Sequence, residues 1–179
     1  MTSVFIGGSR AISRLNEPLR AKLDDFIARG CKIIVGDANG ADKAVQQHFA
    51  DRDYPELIVY CMDRCRNNVG GWPIKHIHRP SANRDFSYYA AKDHAMASDA
   101  NCGMMMWDGV SKGTLNNIQS LIAAGKKTLV YFSPDKAFYK LASADDLQGL
   151  LGRCDPEVIL QAQRRIAKAT CEAQLSLQH

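Results

Sequence analysis

Short apolar runs alternate with longer helical patterns along most of this chain, and that alternation constrains the fold more than any other feature. The runs are "SVFIGG", "CKIIVG", "ELIVYCM", "CGMMMW" and "KTLVYF". Between the first two, residues 16–29 carry Leu19, Leu23, Phe26 and Ile27 at helical spacing, and Gly30 ends the pattern. Residues 41–51 place Ala44, Val45, His48 and Phe49 on one face, and 82–98 and 114–124 read as two further helices. "KIIVG" and "LIVYC" are apolar without alternation, which suits strands covered on both sides. The expectation is an α/β, Rossmann-like, three-layer fold. It has a mostly parallel sheet of five or more strands, helices on both faces and a C-terminal helix.

The rhythm breaks twice. Residues 64–81 look irregular, with Gly70, Gly71, Pro73 and Pro80. After Pro134, "AFYKLAS" reads as a short strand and "ADDLQGLL" as a short helix. Asp155-Pro156-Glu157 then opens a last helix with a capping residue, a first-turn proline and an acid at the positive end. That helix is expected to run to about Gln174, with an apolar stripe of Val158, Ile159, Ala162, Ile166 and Ala169. This suggests a single domain, with residues 1–134 as the core and 135–179 as a C-terminal helical extension packed on it.

Composition narrows the class. The 179 residues are 46% apolar and 23% charged, as in ordinary globular proteins, and the formal net charge of +4 is too mild to argue for nucleic acid. No window approaches the length of apolar sequence that a membrane helix needs. The N-terminus turns to glycine before an apolar segment of targeting length develops. Six cysteines in a chain of this length do not suggest a disulfide scaffold. Cys31, Cys61 and Cys102 lie in or beside apolar runs, where a free thiol packs as a small hydrophobe, so a reducing cytoplasm is the economical expectation.

Three of the strands end in polar, glycine-bearing loops. They are Gly7-Gly8-Ser9-Arg10, Gly36-Asp37-Ala38-Asn39-Gly40-Ala41-Asp42 and Asp108-Gly109-Val110-Ser111-Lys112-Gly113-Thr114. In a parallel sheet, all loops leaving strand C-terminal ends open on one edge, where ligands bind. Glycine allows a tight turn and close approach, and the first amides of the following helix carry partial positive charge. Together they make a seat for phosphate, supplemented by the hydroxyls of Ser9, Ser111 and Thr114 and the charges of Arg10 and Lys112. Taken singly, each loop reads first as a turn followed by a helix cap, and it is three at one edge that favour a ligand seat. None matches the dinucleotide fingerprint or the Walker loop.

"GGSR", "GDANGAD" and "SKGT", spread over residues 3–132, resemble the superfamily that unites the Smf/DprA proteins with the lonely-guy phosphoribohydrolases, the SLOG superfamily. Within it they look most like the small YspA/YpsA-type branch of predicted nucleotide-binding proteins. The resemblance implies a Rossmann-like sheet and a nucleotide or nucleotide-derived, ADP-ribose-like ligand. Its binding residues would be Gly7, Gly8, Ser9, Arg10, Gly36, Asp37, Asn39, Gly40, Asp42, Arg84, Asp108, Gly109, Ser111, Lys112, Gly113, Thr114 and Asn117. Mg2+ can accompany such a phosphorylated ligand. Relatives are commonly dimeric, which favours a homodimer. The hydrolases carry P-G-G-x-G-T-x-x-E. Gly113 and Thr114 match its G-T, but Asn117 stands where the glutamate belongs, and an amide is no general base. Their Arg-Lys pair, a few residues before a methionine, is best matched by Lys92-Asp93 before Met96. Binding without turnover is therefore the leading expectation. The alternative is a hydrolase or transferase at a ribosyl N-glycosidic or phosphate bond, with Asp37, Asp42, Lys92, Asp93 or Asp108 as candidate catalytic groups. Single-stranded DNA binding, as in the Smf/DprA branch, is weaker.

The segment from Arg64 to Arg84 has no acid. It carries Arg64, Arg66, Lys75, Arg79 and Arg84, with His76, His78 and Trp72. It reads as a basic lid, as a nucleic-acid surface with a stacking aromatic, or as a solvated loop. Cys61, Cys65, His76 and His78 do not have zinc-finger spacing, and no metal site is expected. Of Tyr88 and Tyr89, one is expected in the core. His48 is expected at the surface or half-buried.

Overall fold

The computed structural model describes residues 1–78, 86–157 and 160, and no side chain at 86, 87 or 89. Arg79, Arg84, the side chain of Tyr89 and the 158–169 apolar stripe lie outside the described residues. The elements are β1 (Ser3–Gly8), α1 (Glu17–Ala28), β2 (Lys32–Gly36), α2 (Ala41–Ala50), β3 (Leu57–Cys61) and β4 (Ile74–His76). There follow α3 (Phe86–Asp99), β5 (Cys102–Trp107), α4 (Lys112–Ala123), β6 (Thr128–Phe132), β7 (Ala137–Leu141) and α5 (Ala144–Leu151). They build one seven-stranded sheet in the order β4-β3-β2-β1-β5-β6-β7. All neighbours are parallel except β7, which returns antiparallel beside β6. This is the Rossmann-like α/β arrangement expected from the alternating pattern.

The strands are apolar throughout because both faces are covered. Val4, Ile6, Ile33, Val35, Met104 and Met106 pack on one side with Leu19, Leu23, Val45 and Phe49 of α1 and α2. Phe5, Ile34, Met105 and Trp107 pack on the other with Met96 of α3, Leu115, Ile118 and Leu121 of α4 and Leu147 and Leu150 of α5. Neighbouring side chains point to opposite faces of a strand, so each buried strand serves two cores.

One element differs from the expectation. The segment read as irregular contains β4, a three-residue edge strand whose residues are all exposed. It has no apolar pattern to find, because none of its three side chains is buried in the core. After Pro134 the expected short strand and short helix are present as β7, which joins the sheet, and α5, which opens with a Ser143/Asp146 capping box. Pro156 and Glu157 are helical, and Asp155 Oδ1 accepts the Glu157 amide at 2.9 Å, as the Asp-Pro-Glu signal implies.

The strand order reverses at β1. From β1 the chain moves outward through β2, β3 and β4, then returns to place β5 on the other side of β1. The loops after β1 and β5 part at this point and leave a crevice, the usual ligand position in open parallel sheets. Its depth depends on Gly8. A Cβ there would sit 2.5 Å from the Met106 carbonyl oxygen and 2.9 Å from the Ala41 Cβ. Gly8→Ala is expected to destabilise the fold by about 1–3 kcal/mol through overpacking. Urea denaturation will measure it as a lower midpoint at unchanged slope.

Candidate functional site

A cavity of about 470 Å³ occupies this crevice. Its walls come from all three glycine loops: Gly7 to Arg10 after β1, Ala38 and Asp42 after β2, and Asp108 with Ser111 to Thr114 after β5. Lys92, Asp93 and Met96 of α3 and Asn117 of α4 complete it, over a floor that includes Phe5.

Its outer end is built for an anion. Ser111 caps α4, and its Oγ accepts from the Thr114 amide at 3.4 Å and from Thr114 Oγ1 at 3.0 Å. The Leu115 amide reaches the Ser111 carbonyl, which closes the first turn. Gly113 precedes these partners in the turn, so its amide keeps the outward, unpaired geometry of a helix start. A Cβ on Gly113 would meet no atom within 4 Å, so the space that it leaves open is cavity. Arg10 and Lys112, both exposed, add positive charge at the rim.

Asp108 holds this end together. Its Oδ1 accepts the Val110 and Ser111 amides at 3.1 and 2.8 Å, and its Oδ2 accepts the hydroxyl of Ser9, itself 2% exposed. The carboxylate therefore turns the loop after β5 and fastens it to the loop after β1.

The inner end is a cluster of charges. Asp37, 1% exposed, accepts from Lys92 Nζ at 2.8 Å, from the Arg66 guanidinium at 2.7 and 3.0 Å, and from the Arg66 amide at 3.1 Å. Burial alone would raise its pKa, but the Arg66 hydrogen bonds and the Lys92 charge outweigh burial and hold it well below the usual carboxylate range. Asp42 differs. Burial, reinforced by Asp93, pushes it up to about 6 against the pull of Lys92 and a hydrogen bond from the Ala38 amide. Asp93 is also raised by burial, opposed by Lys92 and by a hydrogen bond from Asn117. Asn117, 8% exposed, lies beside Asp93, and its carbonyl Oδ1 has no partner.

The residues read from the sequence fall into two groups. Gly7, Gly8, Ser9, Arg10, Asp42, Lys92, Asp93, Asp108, Ser111, Lys112, Gly113, Thr114 and Asn117 line the cavity. Gly36, Asp37, Asn39, Gly40 and Gly109 stand behind its walls. Gly40 has a φ of 82° at the start of α2, and a Cβ on it would collide with the Arg10 backbone. A Cβ on Gly109 would meet the Phe132 ring. Asn39 faces outward to Asn67.

Arg66 is the wall residue whose role the sequence did not reveal. Its signal was the absence of acid in a basic loop, but its direction depends on Asp37, 29 positions earlier. Trp72 is not a stacking platform: it is 8% exposed and its indole N–H donates to the Tyr54 carbonyl at 2.8 Å. Tyr88 is core, and its hydroxyl donates to Asp63. His48 is more buried than expected, with its ring held by Asp24 at 2.8 Å. Cys61, expected as a free thiol, is bonded to Cys65, whereas Cys31, Cys102 and Cys154 are free. The two sulfurs and an Asp37 oxygen lie within 4.8 Å of one another. The set does not suit a metal: both oxygens are committed to Arg66 and Lys92, two cations that would repel it.

No family model matches the chain, and no curated protein does. Among solved structures, DNA processing protein A from Helicobacter pylori, whose structure describes a single-stranded DNA binding mode, has the same fold. The TM-score is 0.57 at 14% sequence identity, over 93% of this chain and 81% of that one. No helix among the described residues is long and apolar enough to cross a membrane.

Asp42 generates a pH prediction. A carboxyl whose pKa is raised in the folded state keeps its proton while the unfolded chain loses its own. Stability therefore falls as pH rises from the unfolded value near 3.8 through about 6, and stays lower above it. Asp42→Asn, which can still accept the Ala38 amide, should stabilise the protein at pH 7.5 by roughly 1–3 kcal/mol, the scale set by a shift of this size. It should leave stability at pH 4 nearly unchanged. Denaturation at the two pH values reads the difference.

Proposed function

We propose that the cavity binds a nucleotide or nucleotide-derived, ADP-ribose-like phosphorylated ligand. The phosphate sits on the Ser111–Thr114 turn, against the Gly113 amide and beneath Arg10 and Lys112. The ribosyl end points inward to Asn117 and Asp93. The observation that supports this most is the Asn117 Oδ1 atom, buried beside the cavity with no hydrogen bond. A buried acceptor left unpaired costs about 1–3 kcal/mol, and a ligand hydroxyl removes that cost. With Asp42 and Asp93 beside it, the inner end is rich in acceptors, so it favours a group that donates. A ribose does so, and the fit agrees with the resemblance of "SKGT" to the YspA/YpsA-type branch. On this reading the chain acts as a receptor for the ligand.

One observation favours a second reading. Asn117 lacks the acid of the hydrolase motif, yet beside it lies Asp93, a carboxyl whose pKa burial raises. A carboxyl able to transfer a proton therefore stands beside the motif position, as cleavage of a ribosyl N-glycosidic bond would require. Single-stranded DNA binding, described for the Helicobacter protein, has less support here because Trp72 is buried.

Calorimetry with ADP-ribose, AMP and ribose 5-phosphate tests the proposal. Gly113→Val should keep the fold, since no atom opposes its Cβ, and should abolish binding by filling the phosphate seat. Asn117→Ala should weaken binding by about 0.5–1.5 kcal/mol, the worth of one neutral hydrogen bond. Wild-type affinity in a folded Gly113→Val protein would reduce the turn to a helix cap. Release of free base, lost in Asp93→Asn, would turn the receptor into an enzyme.

A further inference from the structure

The mechanical anchor of the cavity wall is the loop between β3 and Arg66. Cys61 ends β3, is fully buried, and its carbonyl accepts the Ile77 amide at 2.9 Å, so one end of the loop is fixed to the sheet. Cys65, half-buried, is bonded to Cys61 across four positions. Arg66 follows at once and turns into the cavity wall, with its backbone amide and its guanidinium both on Asp37. Asp37 in turn holds Lys92. The next residue continues the same strap: the Asn67 side chain donates to the Asp37 carbonyl at 2.8 Å, and its own carbonyl accepts from Gln46 at 3.2 Å.

The other described cysteines do not form such a device. Cys31, Cys102 and Cys154 are unpaired. Burial raises the Cys102 thiol and pushes Cys154 up to about 11, which leaves both poor nucleophiles. The Cys61–Cys65 pair is set apart because it lies beside Asp37, which holds Arg66 and Lys92, and because its half-buried member, Cys65, is covalently next to a wall residue.

We propose that Cys61 and Cys65 form a redox clasp on the Arg66 wall, closed as a disulfide and opened by a dithiol reductant, so that thiol state sets ligand affinity. The inference rests on the reading of the cavity as a phosphorylated-ligand site and names its regulation. In the opening step, a reductant thiolate attacks Cys65 Sγ, the more accessible sulfur, and the Cys61 sulfur leaves and takes a proton. The second thiol of the reductant then attacks its own sulfur in the mixed disulfide and releases the Cys65 thiol. Two electrons and two protons pass to the protein, and the reductant becomes a cyclic disulfide. Cys61 stays packed in the core. The 62–65 segment loses its covalent closure, and Arg66 is then held by Asp37 without support from the preceding turn. Closure runs in reverse with a disulfide oxidant such as oxidised glutathione.

The test uses the full chain with ADP-ribose as probe, after treatment with dithiothreitol or with oxidised glutathione, in wild type and Cys65→Ser. Affinity is read by calorimetry, and loop opening by the rate of trypsin cleavage after Arg64 and Arg66. Reduction of wild type should weaken ADP-ribose binding roughly threefold to tenfold, a fraction of what closing a short loop can contribute. It should speed cleavage by about tenfold, as expected when a local segment opens more often. Cys65→Ser, a change in a half-buried loop position, should resemble the reduced protein under both treatments. Equal affinity and equal cleavage in the two treatments would overturn the clasp, as would a redox response surviving in Cys65→Ser. Cleavage that responds to reduction in a protein that never binds ADP-ribose would uphold the clasp and reject the ligand reading instead.

Discussion

The open edge of the sheet is organised around one ionised carboxylate. Asp37 leaves β2 at the point where the chain must turn toward α2, and it is 1% exposed. A charge so placed persists only when paired, and here Lys92 from α3 and Arg66 from the loop after β3 supply the pairs. Three segments distant in sequence are thereby fixed to one another. Removing one partner of such a cluster leaves the others buried and uncompensated, a loss of about 3–5 kcal/mol in comparable cases. The same cluster sets the inner electrostatics of the cavity. With Lys92 committed to Asp37, its charge offsets only part of the burial that raises Asp42 and Asp93.

Around this cluster the fold supplies the rest by topology. The reversal of strand order at β1 parts the first and third glycine loops, and Asp108 reaches Ser9 across the gap. One end of the crevice presents a helix start with Arg10 and Lys112, and the other presents Asp42 and Asp93 beside the paired cations Lys92 and Arg66. That polarity is what a ligand with an anionic end and a hydroxyl-bearing end requires, and it is why the receptor reading ranks above the nucleic-acid one. Gln46 of α2 shows how closely the wall is tied: fully buried, it donates to the Gly36 carbonyl and accepts the Val69 amide.

Much of this was legible before any coordinates. Unalternating apolar runs followed by glycine mean doubly covered strands and tight turns, because burial and backbone sterics are local demands that each segment must meet alone. Asn16 before α1 and Ser143 before α5 sit where helix amides need an acceptor. The edge strand β4 was not legible, since three exposed residues joined by backbone bonds leave no pattern in side chains. Nor was the fate of Trp72 or Cys65, both of which sit in a segment that looks like solvated loop and packs inward.

The sequence therefore settled the class of fold, the three loops and the polarity of the turn before α4, each of which follows from contacts within a few residues. Tertiary structure alone decided which loop residues face the cavity. Asn39 turns out and Asp42 turns in although they are three positions apart, because α2 begins between them and its direction is set by packing on β1 and β2. It also decided that Arg66 points inward, because the buried charge of Asp37 can be satisfied only by a cation brought from elsewhere in the chain.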